Sequence, residues 1–176
     1  VAEQDYILVG ERYKVDKSLD TTYPVVPLSD ICEINAENKN PALAFGDDEF
    51  IYIDISSVEN GTGKIDFSNK IKGSNAPSRA KRAVKKGDIL FSTVRPNLKA
   101  YGYVEREDFD CCVASTGFAV ISAKNMVLSK YVYYMLYSEP VQAQLASMMG
   151  KGAYPSVNQK DVSQIQIPLP SLSIQE

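Results

Sequence analysis

Val84-Lys85-Lys86-Gly87-Asp88-Ile89-Leu90-Phe91-Ser92-Thr93-Val94-Arg95-Pro96 is the stretch on which the fold turns. Lys86-Gly87-Asp88 reads as a tight turn, because glycine accepts backbone angles that other residues avoid. The β-branched and aromatic run over 89–94 that follows reads as a strand. Comparable short runs recur at 50–55, 101–104, 112–114 and 118–121. Strands at such spacing, without long helices between them, predict a curved antiparallel or mixed sheet rather than βαβ units.

Outward from that core the pattern is coarser. Val25-Val26-Pro27-Leu28-Ser29-Asp30-Ile31-Cys32 reads as a short strand turning into one helical turn, since Pro favours an early helix position. Residues 35–48 are rich in Asn, Pro, Gly and Asp and read as a loop. Gly61-Thr62-Gly63 is a turn into a short strand at 65–67. Residues 68–82 have no apolar period and read as a surface loop, with one helical turn at 78–83. Ser129 caps a helix with Val132, Met135 and Leu136 as its stripe, ending at Ser138-Glu139-Pro140. A second helix over 141–149 stops at Gly150, a glycine-broken loop covers 151–155, a helical turn 156–162 and a strand 165–167. The reading is one α+β domain at 25–176, a curved mixed or antiparallel sheet with short helices packed on it, behind a lead-in segment at 1–24.

Composition narrows the chemistry. The chain has 176 residues and no histidine, which excludes Ser-His-Asp and Cys-His catalysis, HExxH metal sites and Cys2His2 zinc fingers. Three cysteines (Cys32, Cys111, Cys112) with no CxxC pair fit reduced thiols in the cytoplasm rather than a disulfide framework. Cys111-Cys112 sits in an apparent strand, where neighbours face opposite sides, so at least one is a small core residue. No apolar run approaches the roughly 20 residues that cross a bilayer. No signal peptide is visible, and a chain opening at Val1 reads as a piece of something longer. Gly61-Thr62-Gly63-Lys64 lacks Walker spacing and is followed by strand-like residues, so it is no phosphate loop.

The net charge of −3 hides an uneven distribution. Between Lys64 and Lys99 stand ten basic residues and two acidic ones, giving +8, which leaves −11 on the remainder. Such asymmetry points to an anionic partner on one face, set against a solvated loop balanced by acidic neighbours. Tyr52, Phe67, Phe91, Tyr101 and Tyr103 flank the basic stretch. They suit either base stacking or a sheet core, and spacing alone leaves both open. Lys and Arg neutralise phosphates, while Arg and Asn pair with guanine and adenine edges. Local chemistry therefore assigns Arg79, Lys81, Arg82, Lys85 and Lys86 to phosphates. Arg95, Asn97, Lys99 and Tyr101 are candidate groove contacts, joined by Lys151 and Tyr154 on a second glycine-bearing loop.

Four segments in order carry a family resemblance: Val26-Pro27-Leu28-Ser29-Asp30-Ile31-Cys32-Glu33-Ile34; Tyr52-Ile53-Asp54-Ile55-Ser56-Ser57-Val58 with Gly63-Lys64-Ile65; the opening stretch 84–96; and Ile165-Gln166-Ile167-Pro168-Leu169-Pro170-Ser171-Leu172 with Gln175. Together they resemble a target recognition domain of the specificity subunit of type I restriction–modification systems, over about 150 residues. Ala114-Ser115-Thr116-Gly117-Phe118-Ala119-Val120-Ile121 resembles a further family strand, with Thr116 where Gln is common. Tyr6-Ile7-Leu8-Val9-Gly10-Glu11-Arg12-Tyr13 resembles the joint at which a recognition domain is fused behind an N6-adenine methyltransferase.

The resemblance implies a DNA-binding domain that recognises one half of a bipartite double-stranded site, truncated before the long spacer helix. It also implies that catalysis lies elsewhere. A methyltransferase subunit or fused domain would use S-adenosylmethionine, and no cofactor is expected in this chain. None of the nine prolines adjoins another, so the Asn/Asp-Pro-Pro-aromatic motif of an adenine methyltransferase is missing. A restriction subunit and a second copy of the chain are further partners the family admits, and a membrane is not. Against this stands a protein-interaction module that docks a methyltransferase or other subunit without itself reading DNA. A stand-alone enzyme lacks any catalytic constellation.

Overall fold

A computed structural model describes residues 22–149 and 154–176, so the sequence readings at 1–21, the Gly150 stop and Lys151 lie outside the described residues. In chain order the elements are β1 (Val25–Pro27), α1 (Leu28–Ile31), β2 (Cys32–Ile34), α2 (Pro41–Phe45), β3 (Glu49–Ile53), β4 (Lys70–Lys72), β5 (Ala80–Ala83) and β6 (Ile89–Ser92). After them come β7 (Tyr101–Tyr103), β8 (Cys112–Ser115), β9 (Phe118–Ala123), α3 (Ser129–Tyr137), α4 (Glu139–Met148), α5 (Gln159–Ser163) and β10 (Gln166–Pro168). The strands form an antiparallel sheet β2-β9-β6-β7, a mixed sheet β4-β3-β8-β5 in which only β3 and β8 run parallel, and a β1-β10 pair. The α+β expectation holds, with the strands distributed over several sheets.

Alternation along the strands explains the layering, since neighbouring residues face opposite sides. Ile89 and Phe91 of β6, with Ala119 and Ile121 of β9, enter a core shared with Val132 and Leu136 of α3, Val141 and Leu145 of α4 and Val162 of α5. Leu90, Phe118 and Val120 face the other way and meet Ile51, Ile53, Cys112 and Ala114 of the mixed sheet. Phe50, Tyr52 and Val113 then pack on that sheet's far side with Phe45 of α2. Central strands covered on both faces must be apolar throughout, which is why 89–91 reads as an unbroken hydrophobic run. At about 25 cal/mol per Å² such burial is the main term holding the layers together.

Several expectations need correction. The 35–48 loop contains α2: Asn40 caps it by accepting the Ala42 N–H at 3.1 Å, and Pro41 occupies the first turn. Residues 68–82, expected as a loop with a helical turn at 78–83, instead supply strands β4 and β5. Both are edge strands of the mixed sheet. Lys70, Lys72 and Lys81 point outward as edge strands favour, so no apolar period marks them. The expected strand at 65–67 reduces to a single bridge between Val58 and Ile65. Ser129 is the first residue of α3 and not its cap, because the cap position is Leu128. Pro140 sits in the first turn of α4, which begins at Glu139. No helix among the described residues is long and apolar enough to cross a membrane.

Candidate functional site

The loop from β6 to β7 leaves the core at Ser92, whose hydroxyl donates to the Val94 carbonyl at 2.7 Å. Thr93 donates its N–H and its hydroxyl to the Gly117 carbonyl, at 2.9 and 2.8 Å. Beyond it the backbone enters the left-handed region twice, at Arg95 (φ 48°, ψ 55°) and Lys99 (φ 56°, ψ 42°), on either side of a 3-10 turn at Pro96–Leu98. For residues with a Cβ this conformation costs about 1–2 kcal/mol each. Hydrogen bonds from three directions hold it. Arg95 N–H donates to the Pro155 carbonyl at 2.8 Å, Gly61 N–H to the Lys99 carbonyl at 3.1 Å, and the Tyr101 hydroxyl to the Pro96 carbonyl at 2.7 Å.

The second loop is fastened to the first. Val157 N–H donates to the Thr93 carbonyl at 3.0 Å, and Val94 bridges Ser156. This brings Tyr154 under Arg95, with the guanidinium carbon 4.3 Å from the ring centroid. Tyr154 is 74% exposed, so its ring is not there to fill a core. On the other side, Thr116 N–H donates to the Arg79 carbonyl at 2.8 Å, which sets Arg79 beside the Thr116–Gly117 turn that anchors Thr93. Arg79, Arg95, Asn97, Lys99 and Tyr154 are thereby gathered at one end of the two sheets. Lys81 is exposed on β5 next to Arg79, on a cleft of about 460 Å³ that also includes Asn38, Lys39, Pro41 and Pro77.

Other candidates are placed differently. Tyr101, expected as a groove contact, is fully buried: its ring stacks on Phe91 at 4.5 Å. Burial pushes its phenol up to about 12, against a hydrogen bond from Gln142. It braces the loop from beneath and does not face solvent. Phe91 and Tyr52 are likewise core residues, and Phe67 lies half-buried with Arg106 5.3 Å from its centroid. Arg82 is half-buried and donates to Asn38 Oδ1 at 2.9 Å, while its Nε is buried without an acceptor. Lys85 and Lys86 sit at the opposite end of β6 from Arg95. Their turn closes on Asp88, whose carboxylate accepts the Lys85 N–H at 2.8 Å and the Ser122 hydroxyl at 2.7 Å. Burial raises the Asp88 carboxyl above its ordinary range despite those two bonds.

Charge separates the two ends. Lys86 pairs with Glu107, Arg106 with Asp108, and Lys130 with Glu105 at 3.2 Å, all beside the exit of β7. Glu105, Arg106 and Lys130 also line a cleft of about 360 Å³ with Lys64, Phe67, Tyr103 and Tyr134. Arg79, Lys81, Arg95 and Lys99 have no carboxylate partner among the described residues. The +8 segment is therefore not one patch. Of its cations Lys86 meets a carboxylate at the β7 exit, while Arg79, Lys81, Arg95 and Lys99 meet none among the described residues. The acidic run from Glu105 to Asp110 was the sequence signal for this. The frame of Gly117, Pro155 and Ser156 gave no sequence signal, because it works through backbone atoms.

Comparisons with known proteins agree on one family. The sequence profile described as type I restriction modification DNA specificity domain matches residues 21–176. The type I restriction enzyme HindI specificity subunit of Haemophilus influenzae is 29% identical over 131 residues, covering 73% of this chain and 25% of that protein. The crystal structure of the HsdS subunit from Thermoanaerobacter tengcongensis superposes with a TM-score of 0.77 at 34% identity, covering 90% of this chain and 40% of that one. A structure described as the structural basis of complex assembly and conformational transition of the type I R-M system gives a TM-score of 0.75 at 36% identity, covering 84% and 38%. The chain thus spans between a quarter and two fifths of the length of these relatives.

Proposed function

The chain belongs to the type I restriction modification DNA specificity domain family, and from that premise we propose that it binds double-stranded DNA sequence-specifically. It recognises one half of a bipartite site and directs a partner N6-adenine methyltransferase and restriction complex to it. Residues 25–176 form the recognition unit and 1–24 lead into it. Methyl transfer and cleavage are done by the partners, a modification subunit or fused methyltransferase domain and a restriction subunit.

The observation that carries this reading is the loop end, where Arg79, Lys81, Arg95 and Lys99 have no acidic partner among the described residues and Arg95 rests on an exposed tyrosine. Arg79 and Lys81 are assigned to phosphates, and Arg95, Asn97, Lys99 and Tyr154 to the groove. Lys151, three positions before Tyr154 in the sequence, is assigned with them. A module that only docked another subunit would have no use for unneutralised cations on a braced and strained loop.

The test is binding of the complex assembled with its methyltransferase to a duplex library randomised at both halves of a bipartite site. Affinity for the enriched sequence is expected to fall steeply with salt, since each phosphate neutralised contributes a slope of about −0.9. Enrichment of no sequence, or affinity independent of salt, would overturn the proposal.

A further inference from the structure

Resting on that DNA-reading role, we propose that Arg95 is a specificity-determining residue that reads a guanine edge in the major groove, with Tyr154 as the platform that aims it and Tyr101 as a positioning residue beneath. Arg95 is one of only three non-glycine residues with positive φ among those described, and Lys99 in the same loop is another. Strain of this kind persists only where the surroundings over-determine it. Here they do so on each side: Arg95 N–H is bonded to Pro155, the Arg95 carbonyl accepts the Leu98 N–H at 2.9 Å, and Pro96 is bonded to the Tyr101 hydroxyl. Tyr101 is itself fixed, since its carbonyl accepts the hydroxyls of Tyr137 at 2.9 Å and Tyr133 at 3.3 Å from α3.

The guanidinium has one face on the Tyr154 ring and no acceptor for its N–H groups among the described residues. Stacking leaves the planar edge free, and that edge is a fork of donors matching the two acceptors, O6 and N7, that guanine presents in the major groove. Direction is what distinguishes this from a phosphate contact. A phosphate is satisfied by a cation on a flexible stem and carries no sequence information. A guanidinium resting on a ring, carried by a backbone that hydrogen bonds hold in place, has fewer orientations open to it before binding. That is an advantage only where one orientation matters.

The same selection from the randomised duplex library, run with variants in the assembled complex, tests this. Arg95→Ala and Arg95→Lys are expected to relax the preference at one G·C pair by about tenfold to a hundredfold, with preferences elsewhere and the salt slope retained. Arg95→Gly suits the left-handed backbone and keeps the melting temperature, so its equal loss of preference cannot come from unfolding. Tyr154→Phe keeps the platform and the preference, while Tyr154→Ala relaxes the same pair. Uniform weakening at all pairs with a salt slope reduced by about 0.9 would make Arg95 a phosphate clamp and overturn the proposal. So would retention of every preference. If the unmutated complex enriches no sequence, the DNA-reading role itself falls, an outcome visible before any variant is compared.

Discussion

The side-chain carbonyl of Gln175 accepts the backbone N–H of Leu128 at 2.7 Å, capping α3 from the far end of the chain. Leu128, at the cap position, has no polar side chain with which to cap the helix itself. The other end of the same carboxamide donates to the Pro170 carbonyl at 2.9 Å, and Gln175 is only 8% exposed. One residue thus ties the closing Pro-Leu-Pro segment to the helix whose tyrosines support the Arg95 loop.

Gln175→Ala leaves a helix N-terminal N–H and a proline carbonyl without partners, at a cost of about 1–3 kcal/mol. For a chain of this size that lowers the melting temperature by roughly 2–4 °C per kcal/mol. Gln175→Glu keeps the acceptor, and its charge suits a helix N-terminus, but it cannot donate to Pro170. Its loss should therefore be smaller than that of the alanine variant. Thermal unfolding of the three proteins side by side checks the order.

Asp88 sets a pH dependence of definite sign. Its folded carboxyl titrates above the ordinary value of 3.8 because it is buried. The folded state therefore binds the proton more readily than the unfolded chain. Its contribution to stability is complete below the unfolded value and is lost as pH rises through the raised folded one. Asp88→Asn can still accept the Lys85 N–H with its oxygen and donate to Ser122 with its amide. Relative to wild type, the variant should be more stable at pH 7 and lose that advantage towards pH 4. A stability difference that does not change with pH would contradict this account.

How much of this was readable in advance depended on whether a residue's role was local. The turn before β6 and the run 89–92 announce themselves through Gly87 and unbroken apolar residues. The stripe of Val132 and Leu136 likewise marks α3. β4 and β5 were missed because edge strands present Lys70, Lys72 and Lys81 to solvent, which erases the apolar pattern a strand normally carries. α2 is too short to show a period, although Asn40-Pro41 was a start signal. At the site, the residue types Arg95 and Tyr154 could be chosen from chemistry, but their stacking depends on the Val94–Ser156 bridge. Tyr101 could not be told from a groove contact until its register against Phe91 placed it in the core.

Two neighbouring glycines should respond very differently to one added methyl. Both have positive φ, +80° at Gly61 and +71° at Gly63. A Cβ at Gly61 meets nothing within 4 Å, so Gly61→Ala carries only backbone strain, about 1–2 kcal/mol. A Cβ at Gly63 would stand 2.1 Å from the Tyr101 carbonyl oxygen and 2.3 Å from the Tyr133 hydroxyl. Gly63→Ala must push apart the tyrosines beneath the Arg95 loop, for a total loss of about 3 kcal/mol or more. Urea unfolding that gave equal losses for the two variants would remove this packing argument.

The separation of charge between the two ends predicts which cations govern the salt dependence of the proposed DNA binding. Lys86 already has Glu107 as its neighbour, at the far end of β6 from the Arg95 loop. Arg79 and Lys81 have no acid partner among the described residues and stand at the loop end. A cation that meets a phosphate releases a counterion, and removing it lowers the slope of log K against log salt by about 0.9. Arg79→Ala and Lys81→Ala should each show that loss in the complex assembled with the proposed methyltransferase partner, with weakening that is uniform across DNA sequences. Lys86→Ala should leave the slope unchanged, because an exposed ion pair contributes at most about 1 kcal/mol and its loss touches no phosphate. Titrations at a series of salt concentrations measure all three slopes. A reduced slope for Lys86→Ala alone would move the DNA contact to the β7 exit, and the Arg95 loop would then lie off the duplex.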